Sequence, residues 1–260
     1  MNYVLIILIL IPLYLTLILN LIILKDKNKE KQLSYLETLP KSLSFTSKPL
    51  QIILHPNIKY QSYQRVKEII YTEIYKIEKD SKRKFNLEHI VPQSYYGKDP
   101  TVKKDMHNLI IYPKDLNSHR SNYKYVSDPK IYDESIILDD SGDKVKFKKP
   151  LKKNNSIKNN KKRIFHPRDE FKGQIARACM YFIRVYNWDE TVFKYVIDPY
   201  TILLWHHQYP VTKFEKSKNE IILKYQKNEN KYVSNPKRLV SDMESLLRTK
   251  LISFKDYEYN

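Results

Sequence analysis

The sequence predicts an α+β fold, in which a small β-β-α unit is embedded in a largely helical single domain. Two short apolar runs, residues 84–91 and 107–112, have the length and composition of β-strands. Amphipathic periodicity near 3.6 residues recurs in the longer segments on both sides of them. A charge-free apolar run at the start of the chain predicts a hydrophobic N-terminal helix before the domain.

The first 24 residues contain no charged side chain, and a helix of that length can cross a bilayer. One interpretation of residues 1–24 is an uncleaved transmembrane anchor, which makes the chain a single-pass membrane protein of open orientation. The alternative is a signal peptide of a secreted protein. The anchor is favoured because basic residues follow the apolar run directly and no small-residue cleavage site is present.

The next elements build the β-β-α unit. Residues 25–58 read as a polar tether, and residues 60–79 as an amphipathic helix. The two strands follow, and Pro113 suits the first turn of a helix that runs through Asn117. Strand, strand and helix therefore come in consecutive order.

The second half of the domain is predicted to be mainly helical. Residues 136–148 have the pattern of a hairpin whose turn contains Gly142. Helices are expected over residues 169–186, 199–208 and 212–226. A C-terminal extension, residues 237–260, begins after Asn235-Pro236.

The composition predicts a polyanionic partner. The 260-residue chain has 47 Lys and Arg against 29 Asp and Glu, a formal net charge of +18. Such a balance suits nucleic acid or an anionic membrane surface, and composition does not choose between them. The single cysteine, Cys179, excludes an intrachain disulfide and is expected to be a buried, inert thiol.

Residues with catalytic potential cluster around the β-β-α unit. Glu88 and His89 stand side by side before Pro92 and offer a metal ligand and a general base. The segment 115–123 adds amide, imidazole and guanidinium groups, among them Asn117 and Arg120. Amide and carboxylate oxygens suit a hard divalent cation, and a guanidinium suits a phosphate.

These blocks resemble the endonuclease I family of the ββα-metal nuclease superfamily. Segment 165–178 is similar to that family's second motif, a proline turn that leads into a helix. A later set of residues resembles the third motif of the family: Leu203-Leu204-Trp205-His206, Pro210-Val211, Glu215, Asn219, Gln226, Asn228 and Asn230. The order and spacing of all three agree, and the resemblance implies a catalytic domain over residues 59–236 that contains a ββα-metal finger.

The resemblance implies specific roles for residues of this chain. Glu88 and Asn117 would hold one Mg²⁺, or another divalent cation such as Mn²⁺ or Ca²⁺, and His89 would be the general base. Arg120 is expected to act in catalysis by positioning either the finger or the phosphate, with Asn122 beside it. Arg177 would face the substrate from its helix, with a structural ion pair as the alternative.

A basic run completes the expected substrate contacts. Residues 144–163 contain ten basic residues and no acidic one, which indicates a solvated, mobile loop. Such a loop would also contact phosphates without reading sequence. The residues expected to do so are Lys144, Lys146, Lys148, Lys149, Lys152 and Lys153.

The activity implied is a metal-dependent endonuclease that hydrolyses DNA without sequence specificity and leaves 5′-phosphate ends. RNA stays open as a second substrate, and a monomer without a protein partner is expected. The alternative is a catalytically silent protein on the same fold that binds nucleic acid or a membrane surface. The chain departs from the pattern of the resembled family between Ile90 and Met106, where relatives carry an arginine and this chain has lysines. A lysine cannot reproduce the two parallel hydrogen bonds of a guanidinium.

Overall fold

The computed structural model describes residues 58–78, 81, 84–97, 99–127, 135–139, 142–145 and 155–247. The predicted anchor and nearly all of the predicted tether lie outside this set. So do Lys146, Lys148, Lys149, Lys152 and Lys153 of the basic run. Among the described residues, no helix has the length and apolar character needed to cross a bilayer.

Helices and two small sheets make up the described chain, which confirms the α+β class. The described residues up to 236 belong to one compact unit. Those from 237 onward belong to a second unit and are helical over residues 238–247.

The first helix is α-helical only in its first half. Helix α1, Tyr63–Glu68, begins at Ser62, whose hydroxyl accepts a hydrogen bond from the Arg65 N–H at 3.2 Å. It continues as a π-helical stretch, Ile69–Ile74. The π-helix repeats through i→i+5 hydrogen bonds and so brings Ile69 and Ile74 towards one buried face.

The predicted β-β-α order is present. Strand β1, Phe85–His89, pairs antiparallel with β2, Leu109–Pro113, and Glu88 lies opposite Ile110. Helix α2, Lys114–Arg120, follows β2 directly. Pro113 is the last residue of β2 and precedes the helix, so it does not lie in the first helical turn as expected.

A second, five-stranded sheet has the order β3-β7-β6-β4-β5. Its strands are β3 Lys124–Tyr125, β4 Ser135–Leu138, β5 Lys144–Val145, β6 Ser156–Asn159 and β7 Ile164–His166. The antiparallel β4–β5 pair confirms the predicted hairpin. The prediction of a mobile loop over residues 144–163 was wrong for its described C-terminal part, because β6 pairs with both β4 and β7 and buries Ser156, Ile157 and Asn159.

The helical half follows the prediction closely. Helix α3, Asp169–Tyr186, is the longest described and buries Cys179, whose thiol pKa is raised to about 12 by that burial. A short helix α4, Asp189–Thr191, was not predicted and continues as the π-helical stretch Val192–Val196. Helices α5 Pro199–Gln208, α6 Lys213–Gln226 and α7 Lys231–Ser234 complete the unit.

Asp105 joins the two strands of the β-β-α unit to the helical half. The residue is fully buried, and its Oδ2 accepts hydrogen bonds from the hydroxyls of Tyr181 and Tyr186 at 2.9 and 2.8 Å. Its Oδ1 accepts from the His107 N–H and from Gln226 Nε2. The segment just before β2 is therefore fixed to α3 and α6.

Candidate active site

An open cleft of about 370 Å³ lies where β1 ends and α2 faces it. It is lined by Leu87, Glu88, His89, Pro92, Gln93, Ser94, Asn117, Arg120, Ser121 and Asn122. Five residues that the sequence predicts for the site meet here: Glu88, His89, Asn117, Arg120 and Asn122. The cleft is the candidate active site.

The end of β1 explains how two adjacent side chains face one cleft. Neighbouring residues of a regular strand point to opposite faces. Here the strand stops at His89, and the chain bends at Ile90 and Val91. The buried Asn108 side chain fixes this bend, since its Oδ1 accepts from the Val91 N–H at 2.8 Å and its Nδ2 donates to the Val91 carbonyl at 3.1 Å.

His89 is held in one tautomer. Its Nε2 lies 3.1 Å from the Lys103 carbonyl oxygen, which can only accept, so Nε2 carries the proton. The other nitrogen, Nδ1, then accepts from Gln93 Nε2 at 3.1 Å, and both residues line the cleft. The Tyr63 ring stacks on the imidazole, with ring centroids 6.5 Å apart.

Burial keeps this imidazole neutral. The pKa of His89 is lowered to about 4, mainly by desolvation, and the nearby positive charges of Lys103 and Arg120 act in the same direction. Burial raises the pKa of the Glu88 carboxyl to about 7, against the opposing effect of Arg120. The cleft thus holds a neutral base beside a carboxyl that a bound cation would favour in its ionised form.

Arg120 does not present a free guanidinium to the cleft. The side chain is almost completely buried, and its Nη1 donates to Glu88 Oε1 at 2.6 Å and to the His89 carbonyl at 3.1 Å. Its Nη2 donates to the Ile90 carbonyl at 2.6 Å. Arg120 therefore joins α2 to the end of β1, and of the two roles expected from the sequence it has the contacts for positioning the protein rather than the phosphate.

Asn117 and Asn122 face the cleft in different ways. The Asn117 side chain, half-buried on α2, makes no hydrogen bond with another described residue. Asn122 is held by Arg163, whose Nη2 donates to Asn122 Oδ1 at 2.6 Å. Between α2 and Asn122, Ser121 has φ 52° and ψ −127°, a conformation that favours glycine and stores strain of about 1–3 kcal/mol.

The donor atoms at the cleft suit a hard divalent cation. Within the described residues, no cluster of three or more His, Cys, Asp or Glu side chains is present. The cleft instead offers one carboxylate, Glu88, and one uncommitted amide, Asn117. Mg²⁺ prefers oxygen ligands and retains several of its waters, so two protein ligands are sufficient.

Two expectations about substrate contacts have different outcomes. Arg177 does not line the cleft. It is 1% exposed, and its Nε and Nη2 pair with both carboxylate oxygens of Glu215 at 2.8 and 2.7 Å, which is the structural ion pair considered as the alternative. Lys144 is exposed on β5, and the other predicted lysines lie outside the described residues.

Sequence reasoning missed Gln93 and Asn108 as parts of the site. Both have a signal in the sequence. Gln93 stands four residues after His89, beyond Pro92, and Asn108 stands among apolar residues immediately before β2. A buried amide in such a position needs partners, and the backbone of a neighbouring bend supplies them.

Comparison with known protein families matches residues 29–237 to the family described as Endonuclease I. The chain belongs to the endonuclease I family. An Endonuclease-1 of Buchnera aphidicola subsp. Acyrthosiphon pisum (strain APS) is 24% identical over 184 residues, which cover 63% of this chain and 66% of the relative. A second Endonuclease-1, from Buchnera aphidicola subsp. Baizongia pistaciae (strain Bp), is 25% identical over 182 residues, with 61% and 66% covered. The chain thus spans just under two thirds of the length of these relatives.

The two later motifs that resemble the endonuclease I family surround Arg177. The second motif covers β7 and the start of α3, where Arg177 lies. The third supplies its partner, Glu215, which also forms the capping box of α6 with Thr212. In this member of the family, these motifs hold α3, α5 and α6 together behind the site.

Proposed function

We propose that the protein is a metal-dependent endonuclease that hydrolyses phosphodiester bonds of DNA, with RNA as a second substrate and without sequence specificity. Membership of the endonuclease I family supports the reaction class. The observation that carries the proposal is the fixed His89 tautomer, which leaves Nδ1 unprotonated beside Gln93 in a cleft that Glu88 and Asn117 also line.

Glu88 and Asn117 are proposed to hold one divalent cation, Mg²⁺, Mn²⁺ or Ca²⁺. When bound, such a cation neutralises charge on the phosphate and assists departure of the leaving oxygen as a Lewis acid. Arg120 keeps the Glu88 carboxylate in place through its contact with Oε1.

His89 is proposed to remove the proton from the attacking water at Nδ1. Gln93 gives up its hydrogen bond to Nδ1 when that water binds, and the Lys103 carbonyl holds the imidazolium through Nε2. A phosphate entering the cleft brings negative charge, which raises the pKa of the imidazole above its value in the free protein. Water then attacks phosphorus as the bond to the 3′ oxygen breaks, and the departing oxygen takes a proton from solvent, which gives a 5′-phosphate and a 3′-hydroxyl.

The rival proposal, a catalytically silent protein that binds nucleic acid or a membrane surface, does not account for this machinery. A protein that only binds phosphates has no need for a single His89 tautomer fixed beside a buried carboxylate. Attachment to a membrane through residues 1–24 stays a prediction from the sequence.

Nicking of supercoiled plasmid tests the proposal. Cleavage should stop in EDTA and return when Mg²⁺, Mn²⁺ or Ca²⁺ is added in excess, and both Glu88→Gln and Asn117→Ala should demand more metal. Asp143→Asn, at an exposed position that does not line the cleft, is the matched control. Plasmid binding without nicking under every metal would favour the silent protein instead, and cleavage unaffected by EDTA would contradict the metal's role.

A further inference from the structure

A surface beside the cleft carries aromatic and basic side chains that have no role in the proposed hydrolysis. We call it the aromatic-basic surface and define it by Tyr95, Asn122, Arg163, Lys194 and Tyr195. The rings of Tyr95 and Tyr195 stack with centroids 5.6 Å apart and an interplanar angle of 19°. Tyr195 is 44% exposed and is one of three large apolar side chains in the described residues with such exposure.

This surface is continuous with the cleft. Tyr95 follows Gln93 and Ser94, which line the cleft, and its hydroxyl donates to the Asn122 carbonyl at 2.9 Å. Asn122 is itself one of the residues that line the cleft. The stacked rings therefore lie at the rim of the cleft on the Asn122 side.

Two cations flank the rings. Arg163 is exposed and binds Asn122 Oδ1, and Lys194 is exposed with its Nζ 5.0 Å from the centre of the Tyr195 ring. Neither forms an ion pair with an Asp or Glu of the described chain. Their charges are therefore available to a phosphate.

The surface is held in place from both sides. Lys124 Nζ donates to the carbonyls of Phe193 and Lys194 at 2.9 and 3.1 Å and so fixes the π-helical stretch that carries Tyr195. Arg163 has φ 54°, a left-handed backbone conformation that is uncommon for an arginine. Its guanidinium lies 5.1 Å from the Tyr123 ring.

We propose that the aromatic-basic surface binds one unpaired nucleotide of the substrate strand next to the scissile phosphate. Lys194, whose Nζ lies over the Tyr195 ring in the free protein, moves to one flanking phosphate, so that the base stacks on Tyr195, and Arg163 contacts the other flanking phosphate. Base faces are covered by their neighbours inside a duplex, so this ring can only take a base that has left the stack. The inference rests on the proposed nuclease function and adds a preference for single-stranded or locally opened substrate.

Binding of fluorescent oligonucleotides tests this inference. Anisotropy is measured in EDTA, with the full-length chain kept in a non-ionic detergent, on a single strand and on the corresponding duplex. Tyr195→Ala should weaken single-strand binding by roughly 5- to 100-fold, the usual effect of removing one stacking ring, and should leave duplex binding unchanged. Tyr195→Phe should bind like the parent. Phe214→Ala is the control, because Phe214 is 40% exposed on α6 and does not line the cleft.

A single abasic nucleotide, moved along the oligonucleotide, adds a second arm. At one position of the oligonucleotide, the abasic nucleotide should weaken binding to the parent protein. At the same position it should leave the affinity for Tyr195→Ala unchanged. Unchanged single-strand binding by Tyr195→Ala, or an equal loss of affinity for duplex and single strand, would overturn the inference. The parent protein would still nick plasmid in that case. A failure of the nuclease proposal would appear differently, as absent cleavage with the oligonucleotide affinities intact.

Discussion

At the scale of single residues, the site depends on side chains that never meet the substrate. Arg120 is the main example, because one guanidinium binds the carboxylate of Glu88 and the backbone carbonyls of His89 and Ile90. Its hydrogen bonds fix both proposed functional side chains at the end of β1. Such a role requires the planar fork of arginine, and a lysine cannot satisfy three acceptors in the same directions.

Arg120→Ala should therefore lower the free energy of unfolding by about 3–5 kcal/mol, because it leaves the buried Glu88 carboxylate unpaired. Arg120→Lys should restore only part of this loss. Urea denaturation followed by circular dichroism measures both, with the exposed Arg184→Ala as the control. A stable Arg120→Ala protein that lost only substrate affinity would show that the residue binds phosphate after all.

The sequence predicted the chemical type of this residue but not its partner. A guanidinium between polar residues suits a phosphate and a carboxylate equally, and the choice depends on a strand some thirty residues earlier in the chain. Arg177 shows the same limit, since its partner Glu215 comes from another helix. Glu88, His89 and Asn117 were predictable as a group because they lie on consecutive elements of one short unit.

At the scale of elements, the site is supported by the connection between the β-β-α unit and the helices behind it. Asp105 provides that connection, with four hydrogen bonds from α3, α6 and the turn before β2. The Lys103 carbonyl that fixes the His89 tautomer lies only two residues earlier. Asp105 therefore couples the packing of the helical half to the orientation of His89, the proposed base.

Asp105→Ala should destabilise the fold by at least about 2 kcal/mol, because it leaves the Tyr181 hydroxyl without an acceptor and removes one acceptor each from the Tyr186 hydroxyl and the Gln226 amide. The variant should also lose nicking activity at temperatures where it is still folded, since the Lys103 segment is released. Thermal denaturation and plasmid nicking give the two readouts. Asp99→Ala, which removes the acceptor of the Thr101 and Val102 N–H groups, should cost about 1 kcal/mol and serves as the comparison. Equal stability of Asp105→Ala and the parent would contradict this coupling.

The elements themselves differ in how far sequence determines them. Helices α3 and α6 were predictable from their apolar periodicity, and α5 and α6 also have clear caps at Asp198 and Thr212. Strand β3 has two residues and β7 three, and the pairing of β3 with β7 joins segments that are distant in the chain. The stacking of Tyr95 on Tyr195 likewise depends on the fold bringing remote segments together.

At the scale of the whole molecule, the buried His107 and the half-buried His166 and His206, all outside the cleft, make stability depend on pH. Burial lowers the pKa values of His107, His166 and His206 to about 4. In the unfolded chain these groups take up a proton near pH 6.5. Between these values the unfolded state binds more protons, so stability is lost as the pH falls from about 6.5 to about 4. Glu88, with its raised pKa, acts in the opposite direction but contributes only one proton.

The free energy of unfolding should accordingly fall by at least about 1.4 kcal/mol per pH unit, the equivalent of one net proton, between pH 6.5 and 5. Urea denaturation in EDTA at several pH values measures the slope. His166→Gln should make the slope shallower, whereas the exposed His207→Gln should not. A free energy of unfolding that stays constant over this range would contradict the account.

The most direct test of the central claim is single-turnover cleavage of DNA by His89→Ala at saturating Mg²⁺. If Nδ1 of His89 removes the proton of the attacking water, the rate should fall by roughly 10²–10⁴-fold while the circular dichroism spectrum and DNA affinity remain those of the parent. His207→Ala should cleave at the parent rate. Cleavage by folded His89→Ala at the parent rate would show that another group is the base, and the proposed mechanism would be wrong.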